Sequence, residues 1–255
     1  ARFARVLAGH ARSELALLHV VESPYVLGAP EVGGSVFAET RVAQAHEELE
    51  AFRRDQLNGV AARRTVLEGD PAQKIVEHAH AEQVGLIMMP THGYGPLRRF
   101  ILGSVTAKVL HDAECPVWTG AHVEQAPATE QIRFGHILCA VDLGPQSEKA
   151  LCWAQQMALA FNARLTLVHI TPDLESRSGR YFVPDFHLYL ANHAREELER
   201  LQTRLSIHTH VHTERGEPPN GVRLAAEHLA ADLVVIGRSS GAGIFGRLRT
   251  NAYAI

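Results

Sequence analysis

Two hydrophobic rhythms exchange with each other along this chain. Leu151, Ala154, Ala158 and Phe161 recur at helical spacing, which predicts a helix from about Ser147 to Phe161 with one apolar face. Ala191, Ala194, Leu198, Leu201 and Leu205 repeat that rhythm in a second helix reaching about Arg204, and Pro218–Ala230 reads as a third. Between them stand short apolar runs at 136–142, 164–170 and 233–236, and a strand is also predicted over 207–213. Runs without polar alternation suit parallel strands covered on both faces. Strand and helix in alternation imply a parallel sheet with right-handed crossovers, whose ligands bind beyond the carboxyl ends of the strands.

The whole pattern occurs twice. Leu17-Leu18-His19-Val20 matches Leu167-Val168-His169-Ile170, and Glu47–Glu50 matches Glu196–Glu199. Glu68-Gly69-Asp70-Pro71 matches Arg215-Gly216-Glu217-Pro218, and Leu86–Met89 matches Leu233–Ile236. Matches in one order at nearly one offset identify a tandem repeat. Domains are therefore expected at 1–121 and 132–255, joined by an Ala/Pro/Gln/Glu-rich linker. The counterpart of the strand at 136–142 would precede Ala1, and the counterpart of Cys115–Trp118 would follow Ile255. The first copy is thus expected to lack its first strand and the second copy its last, as in a piece of a somewhat longer protein. Asp70, Pro71 and Gln73 carry the signature of a capped helix start with a capping box.

Composition narrows the function. The 255 residues are 46% hydrophobic and 21% charged, with a net charge of -3, so neither a nucleic-acid nor a membrane partner is expected. No stretch is long and apolar enough to span a bilayer. The three cysteines, Cys115, Cys139 and Cys152, have no metal or disulfide spacing and suit a reducing, cytoplasmic setting. Cys139 and Cys152 are expected to be core residues, and Cys115, before Pro116 at a strand start, to be structural. His208, His210 and His212 alternate on the strand predicted over 207–213, which makes them a zinc candidate beside the alternative of a polar strand face. His78 and His80, two apart on a helix, face different directions. His19 and His169 end equivalent strands, and either a ligand contact or a structural role fits them.

The chemistry concentrates after the strand Leu86–Met89. Pro90-Thr91-His92-Gly93 is followed, nine residues on, by Gly103-Ser104-Val105-Thr106. A glycine turn at a strand's carboxyl end, with Gly-Ser opening the next helix, makes an anion cradle of free amides and a hydroxyl. Neither a covalent catalytic triad nor a Walker-type lysine is present.

The run Thr91-His92-Gly93…Gly103-Ser104-Val105…Cys115-Pro116-Val117 resembles the universal stress protein signature, G-x-x-G, nine residues, G-[ST]. The resemblance covers essentially the whole chain, twice. It implies two tandem Rossmann-like (adenine nucleotide α-hydrolase-like) α/β domains, each a five-stranded parallel sheet with helices on both faces. It also implies a non-enzymatic stress-response protein that binds or senses ATP, with Mg²⁺ accompanying the phosphates. Carried onto this chain, the ATP contacts fall on Val20, Met89, Thr91, His92, Gly93, Gly103, Ser104, Val105 and Thr106. The signature's first glycine is Pro90 here, which removes one backbone donor.

In the second copy the resemblance points to Ala140, Val141, Asp142, Ile170, Ile236, Gly237, Ser239, Ser240, Thr250 and Asn251. Asp142 matches the acid that holds the adenine or ribose end. Ser240 and Thr250-Asn251 replace the second glycine and the Gly-Ser pair, so a nucleotide-independent scaffold or a module for a partner or small ligand is the alternative. A third reading is an AMP-transferring enzyme of the wider fold group. Tandem fusion implies two copies packed as a pseudo-dimer, and a homodimer is also allowed.

Overall fold

A computed structural model describes residues 1–22, 34–52, 56–57, 60–91, 102–120, 127–172 and 186–237. The chain divides into two compact units, Ala1–Ile132 and Arg133–Ile255. The end of the expected linker belongs to the first unit: a short 3-10 turn at Thr129–Gln131 packs on the first helix, and Arg2 donates to the Pro127 carbonyl at 3.2 Å.

The second unit is the more complete sheet. It runs β5 (His136–Ala140), α5 (Ser147–Phe161), β6 (Arg164–Thr171), α6 (Phe186–Leu205), β7 (His210–Arg215), α7 (Pro218–His228) and β8 (Leu233–Ile236). All strand pairs are parallel, in the order β7-β6-β5-β8. Central strand β5 bonds to a neighbour on each side, and its Ile137, Leu138 and Cys139 are fully buried. Asp232 pins the start of β5 by accepting from the amides of Gly135 and His136 at 2.8 and 2.9 Å. Leu138 and Val168 pack against Val222 and Ala225 of α7, as continuous apolar strands require.

The first unit runs α1 (Arg2–Ala11), β1 (Leu15–Val21), α2 (Gly34–Ala51), β2 (Ala62–Glu68), α3 (Pro71–Ala81), β3 (Ile87–Pro90), α4 (Ser104–Asp112) and β4 (Val117–Gly120). Among the described residues β1 pairs only with β2 and β3 only with β4, all parallel. Among the described residues no strand occupies the place that β5 holds in the second unit. The burial pattern follows: β6 is buried from Leu165 to Thr171, whereas β1 is mostly half-buried or exposed. A smaller core joins Ala72 and Ala79 of α3, Ile87 and Val109.

The repeat extends to single bonds. The amide of Gly69 donates to Val21 at 3.0 Å and that of Gly216 to Thr171 at 2.9 Å, each with φ near +140°, where a side chain would be strained. Helices α1 and α5 both end on a left-handed residue, Arg12 and Asn162. The start of α3 keeps half of its expected capping box. Asp70 accepts from the Gln73 amide at 2.8 Å, but the Gln73 side chain donates to Glu77 at 2.6 Å instead of turning back to the cap.

Candidate functional site

In the first unit, two hydrogen bonds bring the end of β3 to the start of α4. The Gly103 amide donates to the Thr91 carbonyl at 2.9 Å, and the Thr106 hydroxyl donates to the Pro90 carbonyl at 3.0 Å. Gly103 is the N-cap of α4 and offers no side-chain cap. The first intrahelical bond runs from Ala107 to Gly103, so the amides of Ser104, Val105 and Thr106 have no acceptor among the described residues. They stand at the positive end of the α4 dipole, beyond the carboxyl end of the β3–β4 pair, with the exposed Ser104 hydroxyl beside them.

The residues named from sequence divide by what their side chains do. Met89 and Val105 pack against the core around Val109, so only their backbones are free to meet a ligand. Thr106 is buried and its hydroxyl is committed to Pro90. Pro90 itself pairs with Gly120 at the end of β3. His92 and Gly93 lie outside the described residues. Val20 borders a hollow of about 380 Å³ at the carboxyl end of β1. Arg41, Gln44 and Glu48 line it from one stripe of α2, with Glu22 and Pro71 completing the wall. Sequence reading missed that stripe, although its i, i+3, i+7 spacing was available.

The second unit arranges the matching residues differently. Ile170, expected as a ligand wall, is a core residue: it is buried with Leu138, Val168, Val222 and Ala225. Gly221 makes this packing feasible, because a Cβ there would lie 2.8 Å from Ile170 Cδ1. The positions equivalent to this pair in the first unit hold Val20 and Lys74. Asp142 is also engaged. Its Oδ1 accepts from the Gly144 amide at 2.8 Å and from the Ser147 hydroxyl at 3.2 Å, which builds the turn into α5. Val141 donates to the Val168 carbonyl and Ala140 packs on the core. Ile236 ends β8 partly exposed, and Gly237 lies 3.5 Å, measured from an added Cβ, from the Gln146 carbonyl. Ser239, Ser240, Thr250 and Asn251 lie outside the described residues.

His169 has a structural role. It is 3% exposed and donates through Nδ1 to the Val141 carbonyl at 2.9 Å, tying β6 to the loop that carries Asp142. Burial pushes its pKa below that of an ordinary imidazole, against the upward pull of the Val141 bond and Asp142. His19, its counterpart, is exposed.

The zinc candidate does not assemble. His208 precedes β7, so only His210 and His212 share that strand, and no group of three His, Cys, Asp or Glu among the described residues is placed to hold a metal. Cys139 is fully buried and its thiol is pushed up to about 12 by desolvation. Cys115 packs beside the first unit's core, half-buried like Cys152.

The model of the universal stress protein family matches residues 1–119 and again 133–251. This chain belongs to the universal stress protein family. Universal stress protein MJ0531 of Methanocaldococcus jannaschii is 36% identical over 108 residues, which are 41% of this chain and 63% of that relative's length. Universal stress protein A homolog 1 of Coxiella burnetii is 30% identical over 129 residues, 49% of this chain and 90% of that protein. The structure of a universal stress protein from Archaeoglobus fulgidus shares the fold, with a TM-score of 0.67 and 21% identity over 99% of this chain and 85% of that one. Among the described residues no helix is long and apolar enough to cross a membrane.

Proposed function

We propose that the first unit binds a nucleoside triphosphate, ATP, and that the protein acts in the stress response by holding this ligand rather than by catalysis. The observation that carries the reading is the uncapped start of α4, held against the end of β3 by Gly103 and Thr106, with three free amides and the exposed Ser104 hydroxyl. Phosphate oxygens match such donors in charge and geometry. The hollow at Val20 offers room for the rest of the ligand, and family membership supports the same assignment. Mg²⁺ would accompany the triphosphate and neutralise its charge, and the exposed Ser104 hydroxyl is the side chain that would help hold it.

The second unit serves as a nucleotide-independent scaffold or partner-binding module in this proposal. Ile170 is packed into the core and Asp142 commits its Oδ1 to its own turn, so the wall and the acid that the resemblance requires are altered.

Isothermal titration of the protein with Mg-ATP tests the proposal, repeated with Gly103→Val. Gly103 has φ -63° and ψ 144°, a conformation that valine adopts readily, so the variant adds bulk at the cradle without backbone strain. Binding near one equivalent that is lost in Gly103→Val is expected. Absence of binding in the unaltered protein overturns the ATP assignment.

A further inference from the structure

The hollow at the end of β1 has a polar wall whose hydrogen-bonding sense is fixed. Helix α2 packs on β1 and β2 as the crossover between them, so it runs against the strands and its early turns lie toward their carboxyl ends. Arg41, Gln44 and Glu48 line the hollow in that order, each about one turn deeper than the last. Gln44 Nε2 donates to Glu48 Oε1 at 2.7 Å. A carboxylate only accepts, so the amide turns its nitrogen, not its oxygen, toward Glu48. Among the described residues this leaves Gln44 with one uncommitted N–H and its carbonyl oxygen, side by side. A donor and an acceptor so paired fit the N6 and N7 edge of adenine, whereas guanine presents two acceptors there, O6 and N7.

The second unit does not build this wall. The matching positions on α6 are Leu190, His193 and Glu197. Glu197 pairs with Arg200, whose counterpart in the first unit is Ala51. The amide–carboxylate pair is therefore not a requirement of the repeated fold, and it stands in the unit that carries the anion cradle. Its place also suits a base. In the second unit β6 and β8 flank β5, which sets them about 10 Å apart. β1 and β3 are their counterparts, so the repeat puts the hollow two strand spacings from the cradle, with room between for a sugar and its phosphates.

We propose that Gln44 reads the base of the nucleotide and makes the first unit select adenine over guanine, with Glu48 as the positioning residue that holds the Gln44 amide in register. The inference rests on the assignment of ATP to this unit. Arg41, nearest the carboxyl edge, stands on the side of the phosphates.

The test compares Mg-ATP with Mg-GTP in isothermal titration of the whole protein. The unaltered protein is expected to prefer ATP by roughly ten-fold or more, the discrimination one bidentate pair supplies. Gln44→Ala, a change that an exposed helix position accepts, is expected to erase most of that preference. Glu48→Ala should lower it, and Glu48→Gln, whose carbonyl still accepts from Gln44, should restore part of it. Gly103→Val should remove both nucleotides alike, because it acts on the phosphates. A preference for ATP that survives in Gln44→Ala overturns the base assignment and leaves the ATP reading standing. A preference for GTP in the unaltered protein also overturns it, since a guanidinium such as that of Arg41 would then read the base. Absence of binding of either nucleotide overturns both readings together.

Discussion

The two units contain the same repeat, yet equivalent residues live in different surroundings. Leu167 of β6 is fully buried, whereas Leu17 of β1, at the equivalent position, is only half-buried. His169 is sealed against the Val141 carbonyl, whereas His19 is exposed. Ile170 packs into the core over Gly221, whereas Val20 opens onto a hollow. The first two differences share one cause. β5 stands between β6 and β8 and supplies the apolar wall, Val141 just beyond it supplies the carbonyl, and the described part of the first unit has no strand in that place. The third is local chemistry, set by one glycine. A residue's sequence context therefore carries its role only as far as the neighbouring strand is there to receive it.

The sharpest way to break the comparison is a matched pair of truncations. Leu167→Ala is expected to cost the second unit about 3–4 kcal/mol, because a fully enclosed leucine leaves a cavity. Leu17→Ala is expected to cost the first unit roughly 1 kcal/mol, since much of that side chain already meets water. Each unit holds one tryptophan, Trp118 or Trp153, so urea unfolding followed by fluorescence in single-tryptophan versions separates them. Equal losses would show that the two sheets are equally closed in solution.

Next in size is the contact under Ile170. Gly221→Ala places a methyl 2.8–3.0 Å from three atoms of Ile170 and is expected to cost about 1–3 kcal/mol. Adding Ile170→Val, the first unit's residue, should return most of that loss. Lys74→Ala, at the equivalent place in the first unit, should stay within about 0.5 kcal/mol in the same unfolding experiment.

Acid titration sharpens the histidine pair. His169 binds a proton less readily folded than unfolded, so its contribution is fully present above the unfolded imidazole range, near pH 6.5. That contribution falls away as pH drops below this range. His169→Asn is expected to flatten the acid limb of the second unit's stability profile, with His19→Asn as the comparison in the first. An unchanged limb would remove His169 as its cause.

The smallest effect concerns thiol chemistry. Cys139, pushed up to about 12 by burial, should resist alkylation in the native protein at pH about 8. Cys115, raised less strongly and half-buried, should react slowly but measurably. Mass spectrometry of timed samples reads both, and rapid labelling of Cys139 would mean that β5 opens easily.

Much of the architecture was legible in the residues. Helix α5 spans Ser147–Phe161 and strand β8 spans Leu233–Ile236, as their periodicity predicts. Long amphipathic runs and uninterrupted apolar runs are local signals, readable without a partner. Boundaries set by pairing were less visible. β7 begins at His210 rather than 207, because its ladder with β6 starts opposite Thr166, and that shift takes His208 off the strand. The uncapped helix start could be read from Gly103-Ser104, but the commitment of the Thr106 hydroxyl to Pro90 could not, since the two are joined only by the fold.

By itself, then, the sequence determined the tandem repeat, the alternation of strands and helices, and the family, because those rest on periodicity and on motifs read within one stretch of chain. Tertiary structure decided which side chains are available. Ile170 is packed into the core, Asp142 is turned onto its own loop and Thr106 is bonded to Pro90, each through a neighbour that no local pattern identifies. Burial and hydrogen-bond partners are properties of a residue's surroundings, and those exist only once distant segments have packed.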